Sequence, residues 1–79
     1  MDKGIIYGVY WKNGGCLRHF YEMEDAIEWC KNRITEDVGG LYDILRFLED
    51  HTSVRNCIVG YNCGYGNIMD YEVKAIDVY

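Results

Sequence analysis

Few side chains in this 79-residue chain are of types that do chemistry at useful spacing. The run Cys16-Leu17-Arg18-His19 is a Cys-x-x-His pair, half of a zinc site in its spacing, and Cys57 and Cys63 are the residues that could complete it. Two features oppose a metal. Five residues separate Cys57 from Cys63, more than the usual two to four. Cys16 and His19, three apart on an extended strand, are expected on opposite faces. Hydrolytic or transfer chemistry needs a nucleophile, a base and a polarising group within mutual reach. The only histidines are His19 and His51, and His51 reads as the last residue of a helix, where partial positive charge is favoured. The expectation is therefore no cofactor, no metal and no catalysis, with an enzyme or metal protein built on Cys16, His19 and Cys57 as the weakest alternative.

The glycine-rich stretch Cys57–Tyr71, CIVGYNCGYGNIMDY, invites a phosphate-loop reading. Gly60, Gly64 and Gly66 do not have Walker spacing, no lysine or hydroxyl comes after them, and a strand pattern comes next where a helix is required. The stretch reads instead as a hairpin bend in which glycines and asparagines supply positive φ, with Tyr61 and Tyr65 exposed at the tip.

Charge says more. The formal net charge is −5 and the sequence pI near 4.8, which argues against direct binding to nucleic acid or an anionic membrane. Residues 22–50 hold nine acids against three bases, whereas the remainder holds four against five. Glu22, Glu24, Asp25, Glu28, Glu36, Asp37 and Asp43 are the candidate partner-binding carboxylates. Rows of carboxylates can take the place of phosphates in pairing with arginine and lysine, and a field of one sign speeds encounter with a cationic surface. Tyr42, Tyr61 and Tyr65 are the candidate aromatic anchors beside them. A solvated, solubilising helix face explains the same acids without any partner.

The elements that must carry these residues are set by periodicity. Residues 4–11 alternate, with Ile5, Tyr7, Val9 and Trp11 on one face, and Asn13-Gly14 suits a type I′ turn into the strand CLRHFY. That turn pairs Trp11 with Cys16, Val9 with Arg18 and Tyr7 with Phe20. Met23, Ala26, Ile27, Cys30 and Ile34 then recur at helical spacing, with acids in the first turn and Lys31 and Arg33 near the end. TEDVGG reads as a connection, and LYDILRFLEDH as a second helix with Leu41, Ile44, Leu45 and Leu48 inward, widened by Tyr42 and Phe47. Period two returns from Ser53, with Met69, Tyr71, Val73 and Ala75 of the last strand inward. The expected fold is a single α+β domain over residues 1–79, β-β-α-α-β-β, in which two helices cover one face of an antiparallel sheet of about four strands.

No targeting segment or membrane span is read in the sequence, so the expected location is cytoplasmic and the cysteines are expected reduced. In shortness, acidity, aromatic content and α+β pattern the chain resembles small phage-encoded inhibitors, including anti-CRISPR proteins and DNA mimics. That resemblance implies a non-catalytic inhibitor acting on a nucleic-acid-binding host protein or complex in the host cytosol. The alternative is a small structural or regulatory module that forms a homodimer through a sheet edge or a tyrosine-rich face.

Overall fold

The computed structural model describes residues 4–12, 14–41, 44–64 and 66–78, with Val78 described by its backbone alone. The elements are β1 (Gly4–Trp11), β2 (Cys16–Phe20), α1 (Met23–Val38), β3 (Arg46–Asp50), β4 (Asn56–Asn62) and β5 (Asn67–Val78). The strands form one antiparallel sheet in the order β2-β1-β5-β4-β3, and α1 lies on one face of it. The α+β class is as expected; the two-helix, four-strand arrangement is not.

The helical layer is the first correction. In α1, Ala26, Ile27, Cys30 and Ile34 are buried, as their spacing requires. The helix also runs on through Thr35–Val38, since nothing breaks the ladder before Gly39 and the Thr35 hydroxyl, instead of capping a new element, donates back to the Lys31 carbonyl at 2.9 Å. Its last turn consequently holds no base, since Lys31 and Arg33 fall in the body of the helix. Gly39 closes it by donating its N–H to Thr35 O at 2.8 Å, and Gly40 turns the chain away at φ +87°.

The segment after Gly40 does not form the expected second helix. Leu41 and Ile44 are 70% and 51% exposed, and residues 46–50 form β3 along β4. The i, i+3, i+4, i+7 spacing of Leu41, Ile44, Leu45 and Leu48 fits a helix locally, but β4 decides the outcome. Its Cys57, Val59 and Tyr61 are buried, so its outer N–H and C=O groups need a partner strand rather than a helix. Phe47 and Glu49 then face α1, while Leu48 sits opposite Gly60 and faces the other way. Tyr42 and Asp43, both assigned to that helix, lie outside the described residues.

The two hairpins are closer to expectation. Tyr7 pairs with Phe20 and Val9 with Arg18, as the turn predicts. Cys16 pairs with Tyr10 instead of Trp11, because Leu17 is an extra residue in β2 and forms a bulge. The connection is a turn in which Gly14 N donates to Trp11 O at 3.0 Å. Gly14 is not among the positive-φ glycines, so a type I′ centre at Asn13-Gly14 does not form; Asn13 itself is outside the described residues. At the far end, Gly64 and Gly66 take φ of +100° and +142°. The asparagines there bond rather than bend: Asn62 Nδ2 donates to Asn67 Oδ1 at 2.8 Å, and Gly64 N donates to Asn62 Oδ1 at 2.7 Å.

The core lies between α1 and the three central strands. Val9, Val73 and Cys57 are aligned across β1, β5 and β4 and fully buried, with Val59, Tyr71 and Tyr61 beside them. Trp29 closes one flank, tilted against Phe20 at 6.2 Å and edge-on to Tyr71 at 6.3 Å. Burying an aliphatic side chain of this size stabilises by about 1.5–3 kcal/mol, so these few residues carry much of the fold. On the sheet's other face no described helix packs. There the Tyr10 ring lies over Gly8 and against Ile76, with the Lys74 ammonium 5.1 Å from the ring centre.

Candidate interaction face and the cysteine–histidine pairs

The carboxylates of α1 divide into two groups. At about 100° per residue, Glu24, Asp25, Glu28 and Glu36 fall within an arc of roughly 120° turned away from the sheet. All four are exposed, and none forms an ion pair with a described residue. Glu22 precedes the helix as its N-cap, with extended backbone and no side-chain cap bond. Asp37 stands apart on the flank toward β5. There it contributes, after burial, to raising the Tyr71 phenol above its ordinary value, while a hydrogen bond from Arg33 opposes the rise.

The other described acids of residues 22–50 leave the helical layer altogether. Glu49 is on β3 and takes a bond from Lys31 Nζ at 2.5 Å. That bond is the main cause holding the Glu49 carboxyl below, and the Lys31 ammonium above, their usual ranges. Asp50 is on β3 as well. The helix therefore carries part of the surplus of carboxylates, not all of it.

The aromatic anchors also move. Tyr61 is 7% exposed, facing α1 between Phe47 and Ile68, and so is part of the core rather than of the hairpin tip. Tyr42 and Tyr65 lie outside the described residues. Exposed apolar groups do stand at both ends of α1: Tyr21, just before it, is 83% exposed, and Leu41, just after it, is 70% exposed. Composition concealed both, because Tyr21 continued the strand pattern of CLRHFY and Leu41 fitted the expected second helix.

The four candidate metal or nucleophile residues do not meet. Cys57 is fully buried on the helix side, with His51 Nε2 3.8 Å from its sulfur and Glu49 Oε1 3.4 Å from the same nitrogen. A catalytic triad needs the two ring nitrogens to serve opposite partners, so one nitrogen facing both groups is not that geometry. Burial, then Glu49, pushes the Cys57 thiol up, and burial, then Cys57, pushes Cys30 up to about 12. Both are inert apolar groups in this setting.

Cys16 and His19 are another matter. The bulge at Leu17 shifts β2 by one residue, so that Cys16 lies opposite Tyr10 and His19 opposite Gly8. Gly8 and Tyr10 share the uncovered face, and directly opposed residues share a face too. The strict alternation that would have parted Cys16 from His19 is thereby broken. Cys16 Sγ is 3.4 Å from His19 Nε2 and 4.0 Å from Nδ1. Among the described residues no group of three or more metal-ligating side chains forms.

Comparison of the chain with protein-family models, with curated proteins and with solved structures finds no significant match. No described helix is long and apolar enough to cross a membrane.

Proposed function

We propose that this chain is a non-catalytic, protein-binding inhibitor that sets the outer face of α1 against a basic, nucleic-acid-binding surface of a host complex, as phage-encoded inhibitors of this size and composition do. The observation that carries the reading is the stripe Glu24, Asp25, Glu28 and Glu36, exposed and without ion pairs to described residues, on a helix held rigid by four buried residues.

The charge density sets what such a stripe can achieve. From Glu24 to Glu36 the helix rises by ~18 Å at 1.5 Å per residue. Duplex DNA carries one charge per ~1.7 Å, about ten over that length, against four here. Charge alone therefore supplies steering and register, and apolar contacts must supply much of the affinity. Tyr21 and Leu41, at the two ends of the stripe, are placed to do so.

The test is capture from host extract with the wild-type chain and with Glu24→Lys/Glu28→Lys/Glu36→Lys, at low and high salt. Support is a nucleic-acid-binding partner held only by the wild type, released by salt, and displaced by duplex DNA or RNA. The same partner held equally by the reversed variant would sink the reading.

Self-association is the second reading, favoured by one observation. The outer edge of β2 has no neighbour strand in the described sheet, and Leu17 on it is 46% exposed. Sedimentation across a range of protein concentrations separates the two, because an edge-paired dimer forms without any added partner and resists salt.

A further inference from the structure

Cys16 differs in kind from the other three cysteines. Cys30, Cys57 and Cys63 are buried, at 0%, 0% and 6% exposure, whereas Cys16 is exposed on the edge strand. Its sulfur lies in hydrogen-bond contact with an imidazole that no described acid holds. Beside that imidazole is a cavity of about 240 Å³ lined by Ile6, His19, Phe20 and Tyr21. Ile6 and Tyr21 give the recess one aliphatic and one aromatic wall beside the imidazole, while the Phe20 ring turns to Trp29 on the helix side, so the space suits an apolar group. Across the β1–β2 pair Tyr10 stands opposite Cys16, its phenol raised by burial first and then by the Cys16 sulfur, and the sulfur also donates to Arg18 O at 3.5 Å. An exposed thiol in contact with a proton acceptor, next to a partly apolar recess, has the parts needed for nucleophilic exchange.

We propose that Cys16 and His19 form a thiol-exchange site that takes low-molecular-weight disulfides bearing an apolar or aromatic half. In the step, the Cys16 proton passes to His19 Nε2 as the sulfur attacks one sulfur of the disulfide. The Cys16–S bond to that sulfur forms and the disulfide's own S–S bond breaks. The other half leaves as thiolate and takes the proton from the imidazolium. Cys16 is oxidised to a mixed disulfide while one half of the reagent is reduced to a thiol, so no further oxidant is required. The half retained on Cys16 lies next to His19 and occupies the recess against Ile6 and Tyr21.

The site owes nothing to the acidic stripe on α1, and its failure would leave the proposed function untouched. The experiment is the rate of reaction with dithiodipyridine, followed by thione release and by mass spectrometry, on the whole chain and on Cys16→Ser, His19→Gln and Tyr10→Phe. The expected result is one fast equivalent in the wild type that is absent in Cys16→Ser, with the buried thiols reacting only on unfolding. His19→Gln should slow that equivalent by about tenfold or more and steepen its rise with pH, because the base is then solvent hydroxide. Tyr10→Phe should slow it by a smaller factor. A fast equivalent whose rate and pH profile are unchanged in His19→Gln would overturn the proposal, leaving Cys16 as an exposed thiol and nothing more. Stoichiometric zinc in protein purified without added metal, protecting Cys16 from the reagent, would equally overturn it.

Discussion

Replacing Gly60 by alanine should cost this domain a large part of its stability, and the structure allows the cost to be worked out. Between the pairs Val59–Tyr71 and Tyr61–Ile68, two residues of β5, Met69 and Asp70, stand opposite Gly60 alone. The bulge brings the β5 backbone onto the glycine. A Cβ there would lie 2.1 Å from Ile68 O, 2.7 Å from Met69 Cα and 2.7 Å from Met69 Sδ. Two of these three obstacles are backbone, in the middle of the sheet. Restoring ordinary contact requires β4 and β5 to part by roughly 1 Å, beyond what a close-packed interior absorbs freely. Overpacking of this kind costs about 1–3 kcal/mol, and the entropic gain of Gly→Ala in the unfolded chain returns only about 0.4–1 kcal/mol. With the clash against backbone, the upper half of the range applies, so a net loss of about 2 kcal/mol is expected. For a domain of 60–100 residues that lowers the melting temperature by about 8–16 °C.

Gly8→Ala is the control. Its Cβ would meet Tyr10 Cε1 at 2.9 Å and Ile76 Cδ1 at 3.0 Å, the ends of two side chains on the uncovered face, which can swing aside. Its loss should stay within about 1 kcal/mol. Urea unfolding of both variants, with midpoint and slope fitted together, makes the comparison. Equal midpoints for Gly60→Ala and Gly8→Ala would refute the bulge as described.

Ile34→Ala removes a side chain that is 2% exposed at the centre of the helix contact and should cost about 2–5 kcal/mol, read as a fall in the urea midpoint. The Lys31–Glu49 pair should add less than about 1 kcal/mol in a double-mutant cycle, because both side chains are about one-third exposed. Its pH dependence has a definite sign. Glu49 is held below its usual carboxyl range, so its share is present above that range and fades as pH falls through the depressed value. Lys31 is held above its usual range, so its share is present below that range and fades as pH rises through the elevated value. Glu49→Gln should remove the acid-side loss in a pH series of midpoints. Glu24→Lys/Glu28→Lys/Glu36→Lys should stay folded, with a melting temperature within a few degrees of wild type by circular dichroism, since none of the three is buried or paired with a described residue.

What could be read from the chain was what local pattern controls. Ala26, Ile27, Cys30 and Ile34 sit under the helix as their spacing dictates, and Val9 opposite Arg18 is set by the length of the first turn. β3 could not be read that way, because Leu41, Ile44, Leu45 and Leu48 satisfy the helical period and only the need of β4 for an outer neighbour overrules it. Tyr61 was hidden for a similar reason. Glycines on both sides suggested a loop tip, yet the turn proper begins at Cys63, and β4 carries Tyr61 under the helix. Of the candidate interaction face, Glu24, Asp25 and Glu28 were legible as facing outward, whereas Glu36 falls in TEDVGG, which reads as a connection, and joins the stripe only because α1 runs on to Val38. Glu49 was not, because its neutralisation by Lys31 depends on a strand that periodicity misassigned.

The extra residue at Leu17 has a consequence for how this hairpin tolerates change. Deleting it would remove the bulge and restore plain alternation, leaving Cys16 opposite Tyr10 and two residues from His19 on the same uncovered face. What would part the pair is loss of the bulge with Leu17 kept, since Leu17 would then take the place opposite Tyr10 and turn the sulfur to the side where the helix lies. A shorter hairpin is therefore compatible with the thiol and its imidazole neighbour, whereas a flattened one of the same length is not.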